Sequence, residues 1–163
     1  MYTGHQYLSV RSLQIEDAAT LASMLRRQPP EYAHFFHAFA FDVDAIAKIL
    51  SERQRDYYAG IFWQGELAGL FMLRGWDTGY EVPSYGVLID ARYSSYGLAR
   101  LSLKISKTIC RLRRVPRIML KVHPDNLIAQ TLFEEAHFIH TGVAAESGNL
   151  VYHFDVGAQS KKS

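Results

Sequence analysis

The segment "DARYSSYGLARLSL", residues 90–103, is where this chain's residue types and spacing first point to chemistry. It comes after a strand-like run, "SYGVLI" (84–89), and leads into a helical pattern from about Gly97 to Arg114. At such a junction the first N–H groups of the helix have no intrahelical partner and carry the positive end of the helix dipole. They can hold a phosphate without any charged side chain, provided small residues such as Gly97 and Ala99 let it approach the backbone. An ordinary helix start reads the same way, since short glycine motifs are weak signals. Along 97–114, Arg100, Lys104, Lys107, Arg111 and Arg114 recur at 4-3-4-3 spacing and form one stripe, which reads first as a solvated face.

Two other groups raise chemical questions. His34 and His37 in "HFFH" stand at i, i+3 with no nearby cysteine or carboxylate pair, a poor zinc set, so no metal is expected. Cys110 is the single cysteine. It cannot form an internal disulfide, which suits a reduced compartment. Its place in an apolar-periodic helix reads as a buried structural thiol rather than a nucleophile.

These residues need a scaffold, and 163 residues fit one domain, 1–163, with a core over about 7–156 and a frayed tail at 157–163. At 48 % hydrophobic residues the chain can bury a sizeable core. Eighteen Lys+Arg against sixteen Asp+Glu give +2, which argues against general nucleic-acid binding. The first residues show neither a basic n-region nor an apolar h-region, and no apolar run approaches membrane-spanning length. A cytoplasmic protein with no membrane association is expected.

The pattern predicts strands at 7–14, 57–63, 66–73, 84–89 and 117–122, then two more in "FIHTGVAA" and "LVYHFDV". Helices are predicted from Asp17, as cap, to Arg27, from Asp44 to Arg53, from Gly97 to Arg114 and from Asp125-Asn126 to Ala136. Pro29 and Pro30 end the first helix, and Gln64-Gly65 reads as a two-residue hairpin. "EYAHFFHAFAF" (31–41) is aromatic and irregular. The order β-α-α-β-β-β-α-β-α-β-β gives an α/β class (α+β mixed sheet) with helices on both faces.

"IDARYSSYGLARLSL" resembles the acyl-CoA-binding segment of the GNAT superfamily of N-acyltransferases. There a strand ends, a short turn comes next, and Arg/Gln-x-x-Gly-x-Gly/Ala opens a long helix. Gly97 and Ala99 match, and Ser94 stands in place of the usual Arg or Gln. "VHPDNLIAQTLFEEAHFIHTG" (122–142) resembles the family's Asn-x-x-Ala-x-x-Leu-Tyr-x-x-x-Gly-Phe helix. Asn126, Ala129, Leu132 and Phe138 align, Phe133 stands where Tyr is frequent, and His137 where Gly is frequent. The resemblance covers roughly 7–156 and implies a GNAT-like fold with a splayed central sheet.

It also implies roles. Backbone N–H groups of Ser94, Ser95, Tyr96, Gly97, Leu98 and Ala99 would cradle the pyrophosphate of coenzyme A (acetyl-CoA as co-substrate), helped by the two serine hydroxyls. Pantetheine would lie between strands 84–89 and 117–122, pairing with the edge Leu88–Ile89–Asp90 by strand addition. Arg100 or Lys104 would reach the 3′-phosphate. Asn126 would bond near the pantetheine arm, although a plain helix N-cap fits it equally. Glu81, or Asp77 as second choice, would take the acceptor's proton; a solvated loop carboxylate is the plainer reading of both. Phe133 has no proton to give and reads as core or slot wall, so the leaving thiolate would be protonated by water or by Tyr85 or Tyr93.

The resemblance thus implies an N-acetyltransferase acting on a small-molecule primary amine. "LRGWDTGYEVPSYGV" resembles GNAT-like enzymes that acylate nucleotide-linked amino sugars. The aromatic stretch 31–41 suits such an acceptor if its rings form a wall rather than core. A protein N-terminus or another small amine stays open, as do a homodimer and a non-catalytic acyl-CoA-binding module.

Overall fold

A computed structural model describes residues 7–157; of the tail expected to fray, 157–163, all but Gly157 lies outside them. The described chain forms a mixed seven-stranded sheet in the order β1-β2-β3-β4-β5-β7-β6. It divides into two compact units: one holds residues up to 72 together with 87–99, the other 73–86 with the residues from 100 onward.

In the first unit β1 (Leu8–Ser12) pairs antiparallel with β2 (Tyr57–Trp63), Leu8 opposite Trp63 and Ser12 opposite Ala59. β3 (Glu66–Arg74) begins in this unit, after a hairpin turn in which Gln64 (φ 52°) and Gly65 (φ 81°) are both left-handed. Positive φ at both turn positions matches the twist of the flanking strands and accounts for the Gln-Gly signal. β2 and β3 are buried along nearly their whole length, as their continuous apolar runs require.

α1 (Ala18–Arg26) presents Leu21, Met24 and Leu25 to a core that includes Leu13, Leu70 and Met72. α3 (Val43–Glu52) adds Ile46 and Leu50, and its start is capped by Asp42, which accepts from the Ala45 N–H at 2.9 Å. Asp17 stands at the N-cap of α1 without capping it; its carboxylate takes the Gln14 N–H (2.8 Å) and a two-pronged Arg11 guanidinium (2.8 and 2.9 Å).

The element absent from the expected order is α2, a four-residue turn over Pro30–Ala33. Pro30, expected only to terminate, also initiates: its ring presets φ for a first helical turn where no N–H bond is needed. Phe36, Phe39 and Phe41, just beyond it in the chain, pack against the core of this unit.

In the second unit β5 (Arg117–Val122) pairs antiparallel with β7 (Leu150–Asp155) over six residues. β6 (Ile139–Val143) pairs with β7 through a bulge at His140–Gly142. β4 (Ser84–Ile89) runs parallel to β5 with a single register pair, Ser84↔Met119. α4 (Leu98–Leu112) buries Ser102, Leu103, Ser106 and Cys110, so the thiol is structural in position. The helix stops two residues short of Arg114, which adopts φ 59° while the Val115 N–H closes onto Cys110 O at 2.8 Å.

α5 (Leu127–Glu135) ends in the same manner. His137 sits at φ 72°, and the Phe138 N–H returns to Phe133 O at 3.0 Å. That left-handed position after a helix is where glycine is the natural occupant. The histidine found there carries some strain.

Candidate active site

In the first unit, β4 ends at a junction held almost entirely by polar bonds. The Asp90 N–H donates to Ala68 O at 2.8 Å, so the backbone of Asp90 faces β3. Asp90 is 2 % exposed. Its carboxylate accepts from Arg27 Nη2 (2.8 Å), from the Arg92 N–H (2.9 Å) and from Arg92 Nη2 (3.2 Å). Burial raises the Asp90 carboxyl pKa, but the hydrogen bonds from Arg92 and Arg27 outweigh it, and the group lies below the ordinary carboxylate value. Arg92 also pairs with Glu66. The Ala91 N–H donates to Gln28 Oε1 at 2.8 Å, and the Tyr93 N–H closes onto Asp90 O at 2.8 Å. The turn is thus anchored by the end of α1 and the two residues beyond it.

Past this anchor Ser95 (φ 72°) and Gly97 (φ 85°) are both left-handed, and Ser94, Ser95, Tyr96 and Gly97 are exposed. A Cβ placed on Gly97 would meet no atom within 4 Å. Left-handed residues in such a turn bring successive N–H groups to converge, a concavity suited to an anion. Leu98 and Ala99 then open α4. The Ser94 hydroxyl already donates to Ala91 O at 2.9 Å, so it could serve an anion only by giving up that bond.

Of the expected edge Leu88–Ile89–Asp90, only Ile89 turns its backbone outward. Strand alternation puts the N–H and C=O of Leu88 on the same side as those of Asp90, toward β3. Gly69 allows this close approach: a Cβ there would come within 2.7 Å of Ile89 Cδ1 and 3.3 Å of Leu88 O. The outward pair of Ile89 meets a residue that sequence reasoning missed. Tyr32, on α2, donates its hydroxyl to Ile89 O (2.6 Å) and accepts from the Ile89 N–H (3.1 Å). Burial lifts the Tyr32 phenol above its ordinary pKa, the bond to Ile89 opposes this, and Asp90 adds to it. Nothing in the irregular stretch 31–41 marked Tyr32 out, because its role depends on a strand end 57 positions away.

The second unit holds the remaining candidates. Residues 75–83 form a loop with left-handed Gly75 and Gly79, fixed by the buried Trp76, whose ring lies 4.6 Å from the Arg113 guanidinium. Asp77 and Glu81 are both exposed on this loop. The Tyr85 hydroxyl is buried and shares a 2.5 Å hydrogen bond with Ser102 Oγ; burial drives its pKa far up. Either oxygen of this pair can be the donor, and the Tyr85 hydroxyl is engaged within the core. Phe133, 5 % exposed, packs edge-on against Tyr85 (6.1 Å, 85°) and near Phe138 (6.2 Å). Of the two readings, core or slot wall, the packing favours core.

Asn126 caps α5 by accepting from the Ala129 N–H at 3.2 Å. Arg100 is engaged by Glu135 at 2.5 Å. Lys107 leaves the expected solvated stripe: its Nζ donates to Ala136 O (2.6 Å) and lies 4.0 Å from the Phe154 ring centroid. Burial, then Arg111, pushes its ammonium down to about 8. Among the described residues no three His, Cys, Asp or Glu side chains gather as a metal set, and no helix is long and apolar enough to cross a membrane.

Comparison with known proteins agrees with this fold. The model of the acetyltransferase (GNAT) family matches residues 18–138. An acetyltransferase of the GNAT family from Streptococcus pneumoniae is similar over 93 % of this chain and 100 % of its own, at 19 % identity and TM-score 0.72. Ribosomal-protein-S5-alanine acetyltransferase from Vibrio fischeri is similar over 94 % and 95 %, at 15 % identity and TM-score 0.78. PaiA N-acetyltransferase from Thermoplasma acidophilum, in complex with coenzyme A, is similar over 91 % and 99 %, at 15 % identity and TM-score 0.75. At these identities the likeness is one of fold. Comparison with curated proteins gives no match.

Proposed function

The chain belongs to the acetyltransferase (GNAT) family, and from that premise we propose that it moves an acetyl or other short acyl group from coenzyme A to a primary amine, using the β4–α4 junction to hold the cofactor. The observation that carries this reading is the exposed turn at Ser94–Gly97, with two left-handed residues opening a 15-residue helix. Converging N–H groups and the helix dipole suit a pyrophosphate. Ile89 offers one outward backbone pair for a pantetheine amide, and the single β4–β5 register pair suits an arm laid along a strand edge.

Chemistry then needs a neutral amine, and Glu81 is the proposed base, with Asp77 as the alternative carboxylate on the same loop. The amine attacks the thioester carbonyl, the C–S bond breaks as the tetrahedral intermediate collapses, and the thiolate takes a proton. Phe133 has none to give, the Tyr85 hydroxyl is bonded to Ser102, and the Tyr93 phenol is bonded to Glu66 and raised in pKa by burial and that carboxylate, so solvent is the proposed donor.

For the acceptor, the amino-sugar reading leaned on rings at 31–41 forming a wall. Phe36, Phe39 and Phe41 pack against the core instead, which leaves Tyr32, His34, Phe35 and His37; with the Tyr32 hydroxyl bonded to Ile89, the other three are the rings that the segment can offer an acceptor. A protein N-terminus is the second reading, favoured by the similarity of fold to the ribosomal-protein acetyltransferase from Vibrio fischeri. The test is to incubate the protein with acetyl-CoA and a panel of nucleotide-linked amino sugars, peptides with free N-termini and polyamines, and to measure free thiol. Coenzyme A binding with no turnover across the whole panel would favour a non-catalytic binding module.

A further inference from the structure

Ile89 is the last residue of β4, its backbone pair points away from β3, and one side-chain atom holds both groups. The Tyr32 hydroxyl donates to its carbonyl at 2.6 Å and accepts from its N–H at 3.1 Å. A single oxygen that gives one bond and takes one reproduces what a secondary amide in an added strand would supply. Pantetheine carries two such amides in a flexible chain. The hydroxyl and an amide cannot both occupy this rung.

We propose that Tyr32 is a residue of the acyl-CoA site, a place-holder whose hydroxyl keeps the Ile89 rung until a pantetheine amide takes it over. The proposal rests on the acyl-CoA reading of the β4–α4 junction. The surroundings permit the exchange. Tyr32 is 37 % exposed and sits on a four-residue helix, so its ring can rotate toward solvent without opening the core. The segment around it stays fastened meanwhile: Arg27 holds Asp90, Gln28 holds the Ala91 N–H, and Phe36 packs into the core. An empty site is thereby spared an unpaired N–H and C=O, at the cost of lower apparent affinity, because the competent state is only part of the population.

The experiment is calorimetry with coenzyme A on the wild type and on Tyr32→Phe, combined with residue-resolved amide exchange at Ile89. Without its competitor, the variant should bind coenzyme A about three- to tenfold more tightly, the factor that one net hydrogen bond supplies. Its Ile89 amide should exchange faster than in wild type when free, and become protected when coenzyme A is added. An unchanged or weakened affinity in a folded variant overturns the proposal while leaving the acyl-CoA reading intact. Coenzyme A binding by neither protein overturns both. Should the variant fail to fold, nitration of Tyr32 in the wild type, mapped by mass spectrometry, decides: it should rise on saturation with coenzyme A, and an unchanged or lower yield sinks the idea.

Discussion

Gly97 permits a test in which backbone strain and ligand approach can be separated. Its φ is 85°, and a Cβ added there meets nothing within 4 Å. Gly148, between β6 and β7, has φ 76° and the same empty surroundings. Alanine at either position forces an L-residue into the left-handed region, at about 1–2 kcal/mol each. Gly97→Ala and Gly148→Ala should therefore lose similar stability in urea unfolding. They should differ toward the cofactor. A methyl on Gly97 would stand where the proposed cradle needs phosphate oxygens to close on the N–H groups, whereas one on Gly148 lies outside the proposed site. Calorimetry with coenzyme A should show at least about a tenfold weaker Kd for Gly97→Ala, equivalent to about 1.4 kcal/mol, and no change for Gly148→Ala. Gly97→Val should be weaker still, since a β-branched residue fits this φ worse and blocks more of the turn. Because the added Cβ touches no protein atom, a steric clash within the turn would not account for the loss, and the backbone strain is matched in Gly148→Ala. Equal affinities in the two alanine variants would remove the phosphate cradle from this turn.

Glu81→Gln should lower turnover by about 10²–10⁴ with little change in coenzyme A affinity, and the loss should shrink as pH rises because more amine arrives neutral; full activity in Glu81→Gln, with loss in Asp77→Asn, moves the base to Asp77. Phe133→Leu should cost about 1–2 kcal/mol in unfolding experiments through lost edge-on packing with Tyr85, yet keep a turnover rate within about tenfold of wild type; a fall of several orders of magnitude in a folded protein contradicts a packing role. Lys107, held at about 8 by burial and Arg111, binds fewer protons folded than unfolded between about 8 and the ordinary lysine value of about 10.4. Stability attributable to it should therefore rise with pH across that window, by no more than about 1–2 kcal/mol once its partial exposure is discounted. The wild-type-minus-Lys107→Met difference in urea stability between about pH 7.5 and 10 reads this directly. A flat difference would mean that the Phe154 ring and the Ala136 carbonyl, which favour the ammonium, cancel the burial effect.

The strands were legible because their signals are local. The runs at 57–63, 84–89 and 117–122 match β2, β4 and β5, since apolar continuity, turn residues and prolines act within a few positions. The Gln64-Gly65 hairpin and the Asn126 cap were readable for the same reason. α2 was not, because the proline that stops one helix also presets the first turn of the next. Lys107 was misassigned to a solvated stripe because spacing shows which residues share a helix face, not that Ala136 and Phe154 come to meet one of them. Tyr32, Gln28 and Arg27 gave no signal at all: their partners Ile89, Ala91 and Asp90 lie 57 or 63 residues away.

Asp90 explains how an exposed turn with two left-handed residues can hold its shape. No apolar side chain of Ser94–Gly97 is buried, so packing does not fix the turn. Its geometry is set upstream, where a nearly inaccessible carboxylate gathers Arg27, Arg92 and the Arg92 N–H. Removing either partner of such an arrangement leaves a charge without compensation, which makes the junction rigid even where its net stabilisation is small. The same network also spends the nearby cations. Arg27 and Arg92 are balanced by Asp90 and Glu66, two positive charges against two negative. What the turn presents beyond them is oriented N–H dipoles rather than free guanidinium charge. A phosphate bound there would rely on backbone groups already in place. This is consistent with a serine at position 94, where the family usually has Arg or Gln, and a preformed turn lowers the ordering cost of binding.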